Sequence, residues 1–310
     1  RPVTFRAAGT SLCGQAVTDG LLVLLGEGFA TCTVAADGAR VAVGPAIVGA
    51  EVNRRLAPLG RKIGPDPASI NAAKIGGIAA NNSSGMCCGT AQNSYNTLAA
   101  IRVMLADGTL LDTADAASVA AFKASHGALL DGLAGLAARV RADDALASRI
   151  RSKYKIKNTT GYSLNALVDY TDPVDILAHL MIGSEGTLGF ISQVTYHTVP
   201  EYAHKASALA FFPDMVSACR AVVGLKARPV DAVELLDRAS LRCVADKPGM
   251  PPLLKTLPDG VTALLIETRA PSATELQARI ASVLEELHTY PLIEAPAFTT
   301  DPAEIERLWN

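Results

Sequence analysis

Gly64-Pro-Asp-Pro-Ala-Ser-Ile-Asn-Ala-Ala-Lys-Ile-Gly-Gly-Ile-Ala-Ala-Asn-Asn-Ser-Ser-Gly85 is the part of this 310-residue chain least explained by core packing. Glycines at 76, 77 and 85 permit backbone angles and close approaches that a Cβ would block, while Ala79, Ala80, Ser83 and Ser84 keep the neighbouring wall thin. Asn81, Asn82, Ser83 and Ser84 then place donors and acceptors in a row, more than a tight apolar loop needs for itself. The combination predicts a loop that holds a flat, polar, phosphate-bearing cofactor. A glycine-rich turn between two core elements would use the same residue types, and those types alone weigh the two readings evenly.

Two other stretches share this character. Residues 3 to 5 read as a strand that runs into Arg6-Ala-Ala-Gly-Thr-Ser-Leu-Cys-Gly-Gln15. Backbone N–H groups in such a turn can form a nest for anions, which suits a pyrophosphate without many lysines. No Gly-Lys-Ser/Thr follows, so it is not a Walker loop, and the first two glycines of the dinucleotide fingerprint are missing. The third stretch, Gly183-Ser-Glu-Gly-Thr-Leu-Gly189, opens into the alternating strand Phe190 to Val199.

Between these loops the chain mixes strands and helices. Leu21 to Leu25, Thr31 to Ala35 and Ala39 to Val43 read as short strands, and Pro45 to Leu59 as a helix with Val48, Val52 and Leu56 on one face. Leu98 to Leu111 reads as a hairpin turning at Asp107-Gly108, and Ala116 to Ile150 as two or three helices. Asp172 and Pro173 start a helix that runs to Met181. Lys153 to Tyr162 breaks the helical pattern with polar, β-prone residues and reads as a solvent loop. Beyond Pro200 the order becomes strand (206–212), helix (214–226), strand (230–236), strand (263–268) and helix (272–287), the grammar of a split, ferredoxin-like sheet with helices on one face. Asp301 and Pro302 begin a further helix. The fold class is therefore α+β, with domains at 1–200 and 201–310, the second incomplete.

Composition narrows the function. The 28 Lys and Arg nearly balance 30 Asp and Glu, and the one short basic run, Arg149 to Lys157, forms no stripe, so a nucleic-acid partner is not expected. Six cysteines at 13, 32, 87, 88, 219 and 243 lack Cys-x-x-Cys spacing and neighbouring His, so no metal site is expected. Disulfides remain arithmetically open, but scattered thiols in a chain of this length fit a reducing compartment better. A cytoplasmic location is the expectation, with a peripheral place at the inner membrane as its variant. No apolar run approaches the roughly 20 residues of a spanning helix. A start at Arg1 without Met or signal pattern suggests a fragment.

Taken together, the three loops resemble the FAD-binding domain of the vanillyl-alcohol oxidase superfamily, the PCMH-type fold, over the span from Arg6 to about Pro200. Within its D-2-hydroxyacid branch the chain is similar to bacterial FAD and iron–sulfur D-lactate dehydrogenases, which carry segments like Lys157-Asn-Thr-Thr-Gly-Tyr162 and Asn82-Ser-Ser-Gly-Met-Cys-Cys88. The resemblance implies that Gly9, Thr10, Ser11, Leu12, Cys13 and Gly14 contact the pyrophosphate and that Pro65 and Asp66 approach the flavin. Ile75, Gly76, Gly77, Asn81, Asn82, Ser83, Ser84 and Gly85 would complete the wall, and Glu185, Gly189 and Ile191 would hold the adenosine end. Covalent members carry a His in the first loop where Ala8, Thr10 and Ser11 stand here, so dissociable, non-covalent FAD is the expectation.

The resemblance also implies a reaction: oxidation of a D-2-hydroxy acid, D-lactate to pyruvate first, by hydride transfer to flavin N5. Electrons would leave to an iron–sulfur domain, a quinone or a cytochrome, and a 4Fe–4S cluster would belong only to a missing C-terminal domain. A glycolate or D-2-hydroxyglutarate dehydrogenase, an aldonolactone oxidase and an inactive FAD-binding module are the alternatives. The substrate arginine and base of the branch are expected beyond Asn310, since His126, His179, His197, His204 and His288 are scattered. Asn158 and Tyr162 are the candidates within the chain for facing substrate, with a plain polar loop as the competing reading.

Overall fold

Residues 2–85 and 87–309 are described by the computed structural model, and Met86 of the Asn82–Cys88 segment lies outside them. The chain divides into two units, Arg1–Glu201 and Tyr202–Asn310.

The strands of the first unit are β1 (Val3–Arg6), β2 (Leu21–Leu24), β3 (Cys32–Val34), β4 (Arg40–Val43), β5 (Arg61–Ile63), β6 (Leu98–Met104), β7 (Leu110–Asp112) and β8 (Phe190–Pro200). Its helices are α1 (Gly49–Leu56), α2 (Ile75–Asn81), α3 (Ser94–Thr97), α4 (Ala116–Ser125), α5 (Gly127–Ala142), α6 (Asp144–Lys153), α7 (Ala166–Asp169) and α8 (Pro173–Met181). β1 and β2 pair in parallel. The others form an antiparallel sheet in the order β3-β4-β8-β6-β7, with β5 paired to the end of β8. β8 is thus the centre, and its alternation buries Ile191, Val194, Tyr196 and Thr198.

Helices α4 to α8 pack a continuous apolar core that includes Phe122, Leu130, Val140, Ile150, Leu167 and Ile176. Their starts follow from sequence, because Asp115, Asp143 and Asp172 each accept a backbone N–H of the first turn. One expectation is corrected. Ile75 to Asn81, read above as loop, is a helix, because Ile75, Ile78 and Ala79 fall on one face and are buried together. Two adjacent glycines weaken a helix by about 1 kcal/mol each relative to Ala, and here tertiary burial overrides that preference. Gly76 lies against Pro45, whose Cβ is 2.7 Å from where a Cβ on Gly76 would stand.

In the second unit β9 (His204–Phe212), β10 (Ala232–Leu236) and β11 (Thr262–Ala270) form an antiparallel sheet in the order β10-β11-β9. The parallel partners β9 and β10 are therefore split by β11, the arrangement expected of a ferredoxin-like sheet. Helices α9 (Met215–Leu225) and α11 (Ala273–Leu287) cover one face, packing Ala218, Ala221, Leu225, Val283 and Leu287 onto Phe212, Leu264 and Ile266. Each large side chain so buried contributes roughly 1.5–3 kcal/mol. The sequence reading omitted α10 (Arg238–Val244), which with residues 252–261 packs Leu241, Leu254 and Val261 on Phe211 and Ala263 of the opposite face. Helix α12 (Pro302–Trp309) starts where Asp301 Oδ1 accepts from Ala303 N–H. Among the described residues no helix is long and apolar enough to cross a membrane.

Candidate cofactor site

The wall begins where α2 ends. Asn82 takes the left-handed region, φ 52° and ψ 44°, which Asn tolerates better than most residues. Its Oδ1 accepts from Tyr95 N–H at 3.1 Å. The chain then passes through Ser83 and Ser84 to Gly85, where a Cβ would stand 1.6 Å from the carbonyl oxygen of Asp66. Only glycine fits there. Gly85 N–H donates to Cys88 Sγ at 3.1 Å, and burial pushes the Cys88 thiol pKa up, keeping it protonated. Pro65 is buried, and the Asp66 carboxylate lies 3.4 Å from Lys62 Nζ.

The loop from Gly183 to Gly189 is stitched onto the same helix end. Helices leave their last carbonyls unpaired, and here Gly183 N–H donates to Ala79 O at 3.1 Å and Glu185 N–H to Ala80 O at 2.9 Å. Glu185 is itself left-handed, φ 53°, and its carboxylate accepts from Asn81 Nδ2 at 2.6 Å. Asn81 Oδ1 in turn accepts from Ser83 Oγ at 2.8 Å. Between them Ser184 Oγ is buried with no hydrogen-bond partner among the described residues. A hydroxyl in that state costs about 1–3 kcal/mol, which a polar ligand would offset. Gly189 runs close to Met104 O, and Ile191 is a buried residue of β8.

Lys153 to Tyr162 does more than face solvent. Lys157 Nζ donates to Ser84 O at 2.5 Å, and Tyr162 OH lies 2.8 Å from Thr187 Oγ1. The stretch therefore joins the second loop to the third. Asn158 makes a local turn, accepting from Thr160 N–H at 3.3 Å. Behind the wall, Tyr95 OH donates to Asp169 Oδ2 at 2.9 Å, and the Tyr170 and His179 rings stack at 3.9 Å. Burial, with Asp169 adding to it, raises the Tyr95 pKa, and burial lowers that of His179.

The first loop differs. Gly9 and Gly14 have φ 71° and 78°, and Ser11 Oγ bonds Gln15 Oε1 while Cys13 N–H donates to Ser11 Oγ at 3.3 Å. Thr10, Leu12 and Cys13 are exposed. Its base is fixed by Phe5, whose ring centroid lies 4.5 Å from that of Phe190, the residue after Gly189.

Of the residues expected to hold a cofactor, Asn81, Asn82, Ser83, Ser84, Gly85 and Glu185 are thus brought together. Ile75 turns its side chain into the core, leaving only its backbone to a ligand, while Gly77 has open space where its Cβ would be. Gly9 to Gly14 form no hydrogen bond to the other two loops among the described residues. Lys157 and Ser184 were not anticipated as members of the site. The orphaned Ser184 hydroxyl and the polar edge of Asn81, Ser83 and Glu185 fit a flat, polar cofactor, while Gly85 lets their loop pack against Asp66 O.

Comparison with known proteins agrees. Residues 1–114 match the FAD binding domain family, and residues 201–310 match the C-terminal domain of FAD linked oxidases. The glycolate oxidase subunit GlcD of Bacillus subtilis is 25% identical over 279 residues, covering 88% of this chain and 47% of that protein. GlcD of Escherichia coli K12 is 26% identical over 79% of this chain and 40% of its own length. A D-lactate dehydrogenase of Archaeoglobus fulgidus is 24% identical over 77% of this chain and 43% of its own. The chain thus spans less than half the length of these curated relatives. An alkyldihydroxyacetonephosphate synthase structure shares the fold, with a TM-score of 0.64 at 15% identity, covering 98% of this chain and 50% of that one. With both family matches in this order on this fold, the chain combines an FAD-binding domain of the PCMH type with the C-terminal domain of FAD linked oxidases.

Proposed function

We propose that the three loops bind FAD non-covalently and that the whole protein oxidises a small 2-hydroxy acid, D-configured where the α-carbon is chiral, with D-lactate and glycolate as the two leading substrates. The observation that carries the cofactor part is the Asn81–Glu185 bond, which with the Gly183 and Glu185 backbone bonds sets two polar loops edge to edge. Both substrates are supported through relatives named for them. When bound, FAD supplies the acceptor for the hydride taken from the substrate α-carbon.

The chain's own residues bind and orient. Gly85 lets the wall pack against Asp66 O, Ser184 offers an unpaired hydroxyl, and Lys157 holds the Lys153–Tyr162 stretch against the wall. Tyr162, tied to Thr187, and Asn158 are the candidates for lining the substrate side. Cofactor binding belongs to the first unit and substrate recognition to the second, which divide between Glu201 and Tyr202. Electrons leave to an iron–sulfur domain, a quinone or a cytochrome.

The test is a visible spectrum of the purified protein before and after acid precipitation, followed by anaerobic addition of D-lactate, glycolate and D-2-hydroxyglutarate to the full-length protein. The expected results are flavin in the acid supernatant and, in the separate anaerobic titration, bleaching of the protein-bound flavin by one of these acids. A protein that never takes up FAD overturns the proposal, and FAD that no hydroxy acid reduces leaves a binding module in place of an enzyme.

A further inference from the structure

Asn82 sits between neighbours that behave differently from it. Asn81 and Ser83 direct their side chains to Glu185 and to each other, along the edge of the third loop. Asn82 turns away from that edge: it is 8% exposed, and its Oδ1 is taken by the backbone N–H of Tyr95. Its Cβ stands 3.7 Å from the place a Cβ on Gly183 would occupy. Tyr95 is anchored in turn, by its hydroxyl on Asp169 at 2.9 Å and by an edge contact to the His179 ring at 5.0 Å. Asp169 also accepts from Asn165 Nδ2 at 3.1 Å. A chain of contacts thus ties the left-handed residue at the end of α2 to the helical body of the domain.

If the position needed only a left-handed backbone, glycine would serve as well, since it adopts that region without steric cost. What glycine lacks is the acceptor for Tyr95. We propose that Asn82 is the positioning residue of the cofactor wall: its side chain never meets the ligand, but fixes the turn that carries Ser83, Ser84 and Gly85 to it. The proposal rests on the reading of these loops as an FAD site.

Substitutions separate the two properties of Asn82. Asn82→Asp keeps both the acceptor and tolerance of the left-handed region, Asn82→Gly keeps the backbone and loses the acceptor, and Asn82→Ala loses both. The measurement is FAD affinity by flavin fluorescence on the full chain, with the visible circular dichroism of the bound flavin at saturation. Asn82→Asp is expected within about threefold of wild type and Asn82→Gly about tenfold weaker, the size of one buried hydrogen bond. The dichroism of Asn82→Gly should change shape even when saturated. Tyr196→Phe is the control, because it strips the 2.9 Å bond from buried Ser94 in the same core and should lower stability without moving either flavin signal.

Wild-type affinity and dichroism in Asn82→Gly would overturn the positioning role while leaving the FAD reading intact. Equal losses in Asn82→Asp and Asn82→Gly would also overturn it, since the acceptor would then be irrelevant. A wild-type chain that takes up no FAD overturns both.

Discussion

The second and third loops and the first loop have similar composition but opposite construction. Residues 79–85 and 183–187 are cross-linked by backbone bonds and by Asn81–Glu185, and Asn82–Tyr95 ties them to the helical body. Residues 7–20 bond only within themselves or to the adjoining strand among the described residues. The same small residues therefore do two jobs. In the wall they let the protein pack against itself and leave a shaped edge, so a ligand bound there would meet a preorganised surface. In the first loop they leave backbone exposed, so order there depends on what binds.

The largest test of this contrast is Gly85→Ala. A methyl group 1.6 Å from Asp66 O forces the wall apart, and urea unfolding should show a loss of about 3 kcal/mol or more, with FAD uptake falling alongside. Unchanged stability would mean that the two strands of the wall do not approach as described.

Glu185 gives a finer test, because its left-handed backbone and its bond to Asn81 act in opposite directions. Glu185→Ala removes the bond and keeps the strain, and should cost about 1–2 kcal/mol. Glu185→Gly also removes the bond but relieves roughly 1–2 kcal/mol of backbone strain, so it should lie close to wild type. Equal losses in the two variants would show that the carboxylate alone matters.

The wall is also backed by a buried titratable ring, which the first loop is not. His179 faces the Asp175 carbonyl, Asp169 and the Tyr95 and Tyr170 rings, and burial holds its pKa below the ordinary value. An imidazole that stays neutral in the fold but charges when unfolded lowers stability as pH falls through its unfolded pKa, about 6.5. Unfolding free energy should therefore drop between pH 7.5 and 5.5, with a slope below about 1.4 kcal/mol per pH unit. His179→Gln should flatten that slope. An unchanged slope would assign the pH dependence elsewhere.

The smallest effects belong to the first loop. Leu12→Ser and Ser11→Ala should change the stability of the FAD-free protein by less than about 0.5 kcal/mol. Limited proteolysis should cut between residues 7 and 19 in the FAD-free protein, and FAD should protect the site. Cleavage in the wall first would reverse the comparison.

Much of this was legible in the sequence, for identifiable reasons. Helices announced by Asp caps and strands announced by alternation lie where they were expected, as at Asp172 and in Phe190–Pro200. Helix α2 was not legible, because Gly76-Gly77 and the polar run Asn81–Ser84 signal a turn, and only burial of Ile75 and Ile78 decides otherwise. Helix α10 had a signal that went unread: Asp237, which accepts from Ser240 N–H at 2.8 Å. The backing of the wall could not be read at all. Tyr95 lies 74 residues before Asp169 and further still before His179, and a left-handed Glu185 breaks local preference.

The place of β8 has a consequence for how the chain is made. It pairs with β4, β5 and β6, all synthesised before it, and it follows directly on the third loop. Until Pro200 has left the ribosome, β4 and β6 have open edges toward each other, a state that invites pairing with other chains. Such long-range pairing is slow compared with forming the helices between. Arrival of this last strand closes the sheet and delivers Gly183–Gly189 to the end of α2 in the same event. Competence to take up a ligand is thereby coupled to completion of the fold, so nascent chains short of this point hold neither.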